Sequence, residues 1–261
     1  MGKDRPRRGF QGRRDLSEDE TRRPDAPEGR RRVLYGRRRG RRLREGQRTL
    51  AETLLPEIEI DAEGLAGFAP AAAFARASEN ALPREIWLEI GFGGGEHLAW
   101  QAAHNPEIGL IGCEPYMNGV AKLLARIDEA GLGNIRIFRD DARMLVDALP
   151  AESLGRAFIL FPDPWPKARH HKRRMVSDPV IAKLADALVD GAELRIGTDD
   201  PGYLEWILWH MRRHGEFEWT ARRPADWRAR PADWPETRYE RKALAAGRRC
   251  AYLTYRRRPR A

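Results

Sequence analysis

The chain has 261 residues and a formal net charge of +9, with 41% hydrophobic and 33% charged residues. This length and balance indicate a globular domain with a substantial core and a strongly basic surface. A basic surface favours polyanionic partners, nucleic acid before anionic membrane.

Cysteine usage and hydropathy exclude several classes of protein. The two cysteines, Cys113 and Cys250, lie far apart without metal-ligand spacing, so no metal site is expected. No apolar stretch approaches the ~20 residues of a membrane span. The first residues lack the apolar core of a signal peptide. We therefore expect a cytoplasmic protein with reduced thiols and no membrane partner.

The N-terminal segment differs from the remainder in composition. Residues 1–48 contain 18 Lys or Arg residues against 8 Asp or Glu residues and few apolar side chains. Such a segment buries too little surface to offset the entropy lost on ordering. We predict a basic, largely flexible N-terminal extension over residues 1–48 and a folded domain over residues 49–261.

From residue 85 onward, apolar runs alternate with amphipathic helical patterns. The runs predict strands at 86–92, 108–115, 135–142, 156–164, 193–200, 217–222 and 250–257. The last two segments are short and alternating, which suits a terminal antiparallel pair. Repeated strand–helix units predict an α/β fold: a doubly wound, mostly parallel seven-stranded sheet with an antiparallel C-terminal strand.

A glycine loop follows the first predicted strand. Gly91 and Gly93 within it are candidate cofactor contacts, because small residues let a ligand approach the backbone. The dinucleotide-binding pattern needs glycine where Glu96 stands, and an acid there would oppose a pyrophosphate at the helix N-terminus. The cofactor is therefore expected to lack phosphates at this point. S-adenosylmethionine meets that condition.

Acidic residues stand at the ends of four predicted strands, where ligands of such sheets bind. Glu89 precedes the glycine loop, and Glu114 ends the second strand, where a carboxylate accepts both hydroxyls of a ribose. Asp141 ends the third strand and suits an adenine amino group, with Asp140 beside it as an open alternative. Asp163 ends the fourth.

Asp163 belongs to the stretch FPDPWPKARHHKRR, residues 161–174. The flanking prolines, Pro162 and Pro164, fix the backbone around the carboxylate. Trp165 either stacks on a base or closes the core. The cations that follow are candidate contacts for RNA phosphates, and they are Lys167, Arg169, Lys172, Arg173 and Arg174.

Four segments together resemble the bacterial tRNA (guanine-N7-)-methyltransferase family. They read EIGFGGGEH, FPDPWPKARHHKRR, GTDDPGYLEW and PETRYERKA, and the resemblance covers roughly residues 33–256. It implies a class I methyltransferase fold and transfer of a methyl group from S-adenosylmethionine to N7 of a variable-loop guanosine in tRNA.

The resemblance also assigns roles to particular positions. Cofactor contacts fall on Glu89, Glu114, Asp141 and Asp163, with Asp163 also the catalytic acid. The implied substrate contacts are Lys167, Asp199, Thr237, Arg238, Tyr239 and Glu240. The implied RNA contacts are Arg169, His170, His171, Lys172, Arg173 and Arg174.

The chain departs from the family pattern at Pro115 and Tyr116, which affects the wall expected beside the ribose. Two other classes of function stay open from the residues. One is a different S-adenosylmethionine-dependent nucleic-acid methyltransferase, for example on adenine N6. The other is a non-catalytic RNA-binding protein on the same fold. Monomer and homodimer are both compatible with the sequence.

Overall fold

A computed structural model describes residues 38–75 and 82–260 and contains one seven-stranded sheet, ordered β3-β2-β1-β4-β5-β7-β6. The strands are β1 (Glu85–Ile90), β2 (Ile108–Cys113), β3 (Ile135–Phe138), β4 (Leu154–Leu160), β5 (Leu188–Thr198), β6 (Phe217–Trp219) and β7 (Ala251–Arg257). Neighbours among β1 to β5 are parallel, whereas β7 is antiparallel to both β5 and β6. The predicted fold class is confirmed.

Helices connect the strands and begin before β1. They are α1 (Glu45–Thr53), α2 (Leu55–Ile58), α3 (Glu96–His104), α4 (Met117–Ala130), α5 (Ala142–Ala148), α6 (Asp178–Ala187), α7 (Pro201–Arg213), α8 (Ala225–Arg228) and α9 (Arg238–Ala245). Short 3-10 turns occur at Ala62–Leu65, Pro70–Phe74 and Ala168–Arg173. No helix in the described ranges combines the length and apolar character that crossing a membrane requires.

Both faces of the sheet are buried, as expected for parallel strands covered by helices. In β1, Trp87 packs into the cluster on one face and Leu88 into the cluster on the other. Leu123 and Leu124 of α4 join the first cluster, and Leu184 of α6 joins the second. Val120, Leu123, Leu124 and Ile127 lie at i, i+3, i+4 and i+7 of α4, and this apolar face belongs to the same cluster as Trp87 of β1.

The strand order reverses at β1, which has β2 on one side and β4 on the other. Chain connections leave β1 and β4 in opposite directions, so their carboxyl ends border a crevice where ligands of such sheets bind. The observed strands end earlier than predicted, β2 at Cys113 and β3 at Phe138. Glu114 and Asp141 therefore lie in loops at this edge rather than in strands.

The predicted N-terminal extension is described only in part, because residues 1–37 lie outside the described residues. In the remaining part, α1 begins at Glu45 and crosses the predicted boundary at residue 48. The backbone carbonyl of Arg38 accepts a hydrogen bond from Met117 N at 2.9 Å, which joins the segment to the start of α4.

Candidate active site

A cavity of about 460 Å³ lies at the carboxyl ends of β1, β2, β3 and β4, and we call it the strand-end cavity. Its volume lies within the range of small-molecule sites. The predicted site residues that line it are Gly91, Glu114, Asp141, Asp163, Arg173 and Tyr239, with Asp140, Pro115, Tyr116 and Trp165 also on its wall. The folding of the sheet thus brings together residues from five separate segments.

The glycine loop makes a tight turn from β1 into α3. Gly93 has φ +58°, and a Cβ at this position would lie 2.6 Å from the Tyr239 ring. A Cβ at Gly119 of α4 would lie 2.2 Å from the carbonyl oxygen of Gly93. Both positions therefore need glycine, because a left-handed backbone and a close approach leave no room for a side chain.

Glu114 is held on the cavity wall by two backbone amides. Its Oε2 accepts a hydrogen bond from Gly93 N at 2.8 Å, and its Oε1 accepts one from Tyr116 N at 3.0 Å. Burial raises the pKa of Glu114 above its usual value; the two amide bonds oppose the shift, and the charge of Asp163 adds to it. Each carboxylate oxygen retains a lone pair for a ligand hydroxyl.

Asp140 and Asp141 both line the cavity but have different partners. Asp141 caps α5 by accepting from Arg143 N at 3.1 Å, and its other oxygen pairs with Arg143 Nη1 at 2.9 Å. Asp140 accepts from Asp141 N at 2.8 Å and from Arg38 Nη2 at 2.9 Å. Arg143 also donates to the carbonyl of Arg173, which links α5 to the segment after β4.

Glu89 lies behind the cavity rather than among its lining residues. Its side chain is buried, and Oε2 lies 2.7 Å from His97 Nδ1. Gln101 extends this series of hydrogen bonds. Its Nε2 lies 3.2 Å from His97 Nε2 and donates to the backbone carbonyl of Asp233 at 2.8 Å. The cofactor contact implied for Glu89 stays a prediction. Sequence reasoning missed His97 and Gln101, whose signal is a polar pair four apart on the buried side of α3.

Asp163 lies on a strained stretch of backbone. Phe161 and Trp165, one residue outside each proline, have φ values of 51° and 43°. Bulky residues rarely adopt the left-handed region, and each such residue costs about 1–3 kcal/mol. Asp163 is exposed, and no hydrogen bond or ion pair within the described ranges engages its carboxylate. The carboxylate is therefore available to a ligand.

The basic segment, residues 167–174, continues from this stretch as a 3-10 turn. Lys167, Arg169 and Lys172 are exposed. The Trp165 ring is contacted by the Arg173 guanidinium at 4.9 Å and by His170 at 5.8 Å, so Trp165 packs on the basic segment rather than in the core.

Two further members of the basic segment have specific environments. Partial loss of hydration, followed by the charges of neighbouring cations, lowers the pKa of His170. His171 lies edge-on to the Trp206 ring, with ring centroids 5.2 Å apart. Neither histidine lines the strand-end cavity among the residues described.

Arg174 differs from the rest of the basic segment. Its side chain is only 5% exposed, donates from Nε to the carbonyl of Pro164 at 2.8 Å, and stacks on the rings of Tyr203 and Trp206. A guanidinium enclosed in this way holds the strained backbone of residues 161–165 in place. This burial keeps the guanidinium of Arg174 away from solvent and disfavours the RNA contact predicted there.

The four residues from Thr237 to Glu240 begin α9 and divide into two pairs. Thr237 caps the helix by accepting from Glu240 N at 3.2 Å, and the buried carboxylate of Glu240 accepts from the hydroxyl of Tyr252. Arg238 stacks on the ring of Tyr239, 4.6 Å from its centroid, and donates to its hydroxyl at 2.7 Å. Tyr239 lies against the glycine loop, whereas Thr237 and Glu240 hold α9 in position.

Asp199 and Lys167 lie apart from the strand-end cavity. Asp199 pairs with Arg248 at 2.7 Å and lines a separate depression that also includes Asp200 and Trp227. Asp200 caps α7 by accepting a hydrogen bond from Tyr203 N at 2.7 Å. Of the predicted cofactor residues, Glu114, Asp141 and Asp163 therefore share one cavity. The predicted substrate residues Lys167 and Asp199 lie outside it.

Fold and site together define a class I methyltransferase. The last strand of the chain, β7, lies antiparallel between β5 and β6, a glycine loop follows β1, and an acid follows β2. A family model described as “Putative methyltransferase” matches residues 83–253. The crystal structure of the 16S rRNA methyltransferase KamB shares the fold, with a TM-score of 0.54, 17% identity, and coverage of 72% of this chain and 94% of that one.

Two curated relatives are much closer in sequence. The tRNA (guanine-N(7)-)-methyltransferase of Rhodospirillum rubrum is 51% identical over 231 residues, which is 87% of this chain and 89% of that protein. The enzyme of the same name from Ruegeria pomeroyi is 52% identical over 236 residues, 90% of this chain and 97% of that protein. This chain belongs to the tRNA (guanine-N(7)-)-methyltransferase family, which confirms the resemblance of its motifs.

Proposed function

We propose that this chain transfers the methyl group of S-adenosylmethionine to N7 of a guanosine in tRNA, at the variable-loop position that the family resemblance implies. Membership of the family supports the reaction and the substrate. The observation that carries the proposal is Asp163: an exposed carboxylate, not engaged by the described residues, held by a strained Pro-Asp-Pro backbone on the wall of the strand-end cavity.

The residues of the cavity fit S-adenosylmethionine, which supplies a methyl group activated on a sulfonium. Glu114 keeps lone pairs for the ribose hydroxyls, and Asp141 or Asp140 would accept from the adenine amino group. Gly91 leaves the backbone open to the ligand, whereas the Tyr239 ring occupies the space beside Gly93, whose cofactor contact stays a prediction. Glu96 is the first residue of α3, which disfavours a pyrophosphate there and supports a cofactor without one.

Methylation of guanine N7 does not require the protein to act as a general base. Guanine N7 already carries an unshared electron pair, so no base has to remove a proton before the methyl group is accepted. The purine ring becomes cationic as the bond to N7 forms. Asp163 would accept hydrogen bonds from guanine N1–H and the 2-amino group, and its negative charge would stabilise that cation.

The basic segment supports binding of RNA beside Asp163. N7 faces the deep major groove of an A-form helix, so the target guanosine has to be exposed, at a cost of a few kcal/mol. Contacts of Lys167, Arg169 and Lys172 with flanking phosphates would offset that cost. These three exposed cations follow Asp163 directly in the chain, so phosphate contacts would form next to the base.

The proposal is tested by incubating the protein with labelled S-adenosylmethionine and unmodified tRNA and identifying the labelled nucleoside. We expect 7-methylguanosine. Labelled N6-methyladenosine would establish the alternative reaction, and tRNA binding without transfer would establish a non-catalytic protein. Asp163→Asn should lower kcat about 10²–10³-fold with little change in tRNA affinity, since one preorganised charge is lost. Asp128→Asn, an exposed acid on α4, is the matched control.

A further inference from the structure

A second pocket adjoins the strand-end cavity and is strongly basic. It has a volume of about 690 Å³ and is lined by Arg39, Gly40, Arg41, Tyr116, Asn118, Lys122 and Arg238. Four of these seven residues are cations, and none is a carboxylate. We call it the basic pocket. Tyr116 lines both it and the strand-end cavity, and Arg238 stacks on Tyr239 of the cavity wall.

Residues 39–41 form one side of the basic pocket and are held there by hydrogen bonds between their backbone and Asn118 of α4. Gly40 N donates to Asn118 Oδ1 at 2.8 Å, and Asn118 Nδ2 donates to the carbonyl of Arg41 at 2.7 Å. A Cβ at Gly40 would lie 2.0 Å from the Tyr116 hydroxyl, so the approach to α4 is close. Because these contacts do not use the guanidinium groups, Arg39 and Arg41 are docked with their charges still available.

Three of the four cations of the pocket have no acidic ion-pair partner among the described residues, whereas the charge of Arg238 opposes the rise that burial causes in the pKa of Glu114. Among the described residues, no carboxylate forms an ion pair with Arg39, Arg41 or Lys122. Arg238 donates from Nη2 to Tyr239, while its buried Nε has no hydrogen-bond partner in the same ranges. Three cations gathered in this way create a positive field that attracts an anion.

We propose that the basic pocket binds a backbone phosphate of tRNA, with Arg39, Arg41, Lys122 and Arg238 as its contacts. The identity of the RNA rests on the proposed function. The pocket lies at the β2 side of the strand-end cavity, whereas the basic segment follows β4, so phosphates would be held on two sides of the site. RNA bound here would also contact Tyr116, a wall of the cofactor cavity.

The test compares two double variants of the full chain that each lose two positive charges. Arg41→Gln with Lys122→Gln removes pocket cations; Arg42→Gln with Lys183→Gln removes exposed cations that do not line the pocket. The Kd for unmodified tRNA is measured over a range of KCl concentrations. The pocket variant should bind about tenfold more weakly and lose about one unit of salt slope beyond the control. Equal losses in the two variants would overturn the proposal.

A second pair of variants tests the pocket independently, in case the double variant fails to fold. Gly40→Ala forces residues 39–41 and the side chains of Tyr116 and Asn118 apart without changing charge, whereas Gly46→Ala places its methyl group in open space. Weaker tRNA binding by Gly40→Ala alone supports the pocket, and identical binding by both contradicts it. The wild-type methylation assay separates the two proposals: failure of the wild type to form 7-methylguanosine refutes the proposed function, while equal binding losses refute only the pocket.

Discussion

Gly119→Ala is the substitution that most directly tests how the glycine loop is supported. In the first turn of α4, alanine is intrinsically preferred over glycine by up to about 1 kcal/mol. The added Cβ, however, would lie 2.2 Å from the carbonyl oxygen of Gly93, and that contact is with backbone. Relief requires α4 and the loop to separate. Overpacking of this kind costs about 1–3 kcal/mol, so after subtraction of the alanine preference we expect a net loss of up to about 2 kcal/mol in unfolding free energy.

The same movement should weaken cofactor binding. Gly93 N donates to Glu114 Oε2 at 2.8 Å, and displacing the loop lengthens or breaks this bond. Hydrogen bonds to charged groups contribute about 1.5–3 kcal/mol, so the affinity for S-adenosylmethionine should fall about tenfold or more. The affinity for tRNA should fall to a smaller extent, because α4 also carries Asn118 and Lys122 of the basic pocket.

Urea denaturation gives the unfolding free energy, and calorimetric titration gives the Kd for S-adenosylmethionine. Gly46→Ala is the control, because it also lies in the first turn of a helix but its Cβ would meet nothing within 4 Å. The control should be unchanged or slightly stabilised. If Gly119→Ala matched the control in both measurements, α4 would not support the loop in the way described.

Three other results are expected. Arg169→Ala with Lys172→Ala should weaken tRNA binding and lower its salt slope by about two units, measured by titration in KCl. Arg174→Ala should leave that slope unchanged but lower the unfolding free energy by about 2–4 kcal/mol, because a buried charged hydrogen bond and two ring contacts are lost. Burial opposes ionisation of Asp178, but hydrogen bonds from His210 and His214 outweigh it and lower its pKa. Ionised Asp178 thus stabilises the fold above its usual pKa, and the contribution is lost as pH falls through the lowered value. The thermal midpoint of Asp178→Asn should lie below that of wild type at pH 6 and converge with it as the pH falls through the lowered pKa of Asp178; a gap of constant size across that range would contradict this assignment.

Much of the fold and of the cofactor side was predictable because the signals are local. Apolar runs located the strands, and an acid just after a strand of a parallel sheet reaches the ligand edge whatever the rest of the chain does. Glu114 and Asp141 line the cavity for this reason. The ends of the strands were predicted too late, since polar residues after an apolar run do not mark where pairing stops.

Other features depend on contacts between distant parts of the chain. Arg173 and Arg174 are chemically identical neighbours in the sequence, yet the end of the 3-10 turn directs one to the cavity wall and encloses the other between Tyr203 and Trp206. The link from Gln101 to Asp233 spans 132 positions. No periodicity or motif within either segment indicates such a partner.

The link between α3 and the loop before α9 has a consequence for changing the specificity of this fold. Gln101 donates to the backbone carbonyl of Asp233, an atom that every amino acid provides, so this anchor tolerates any residue there. The carboxylate of Asp233, in contrast, pairs with Arg195 of β5 at 2.8 Å and requires an acid. A transplanted loop would therefore keep its hydrogen bond to α3 with any residue at that position, but would keep the ion pair with β5 only with an acid there.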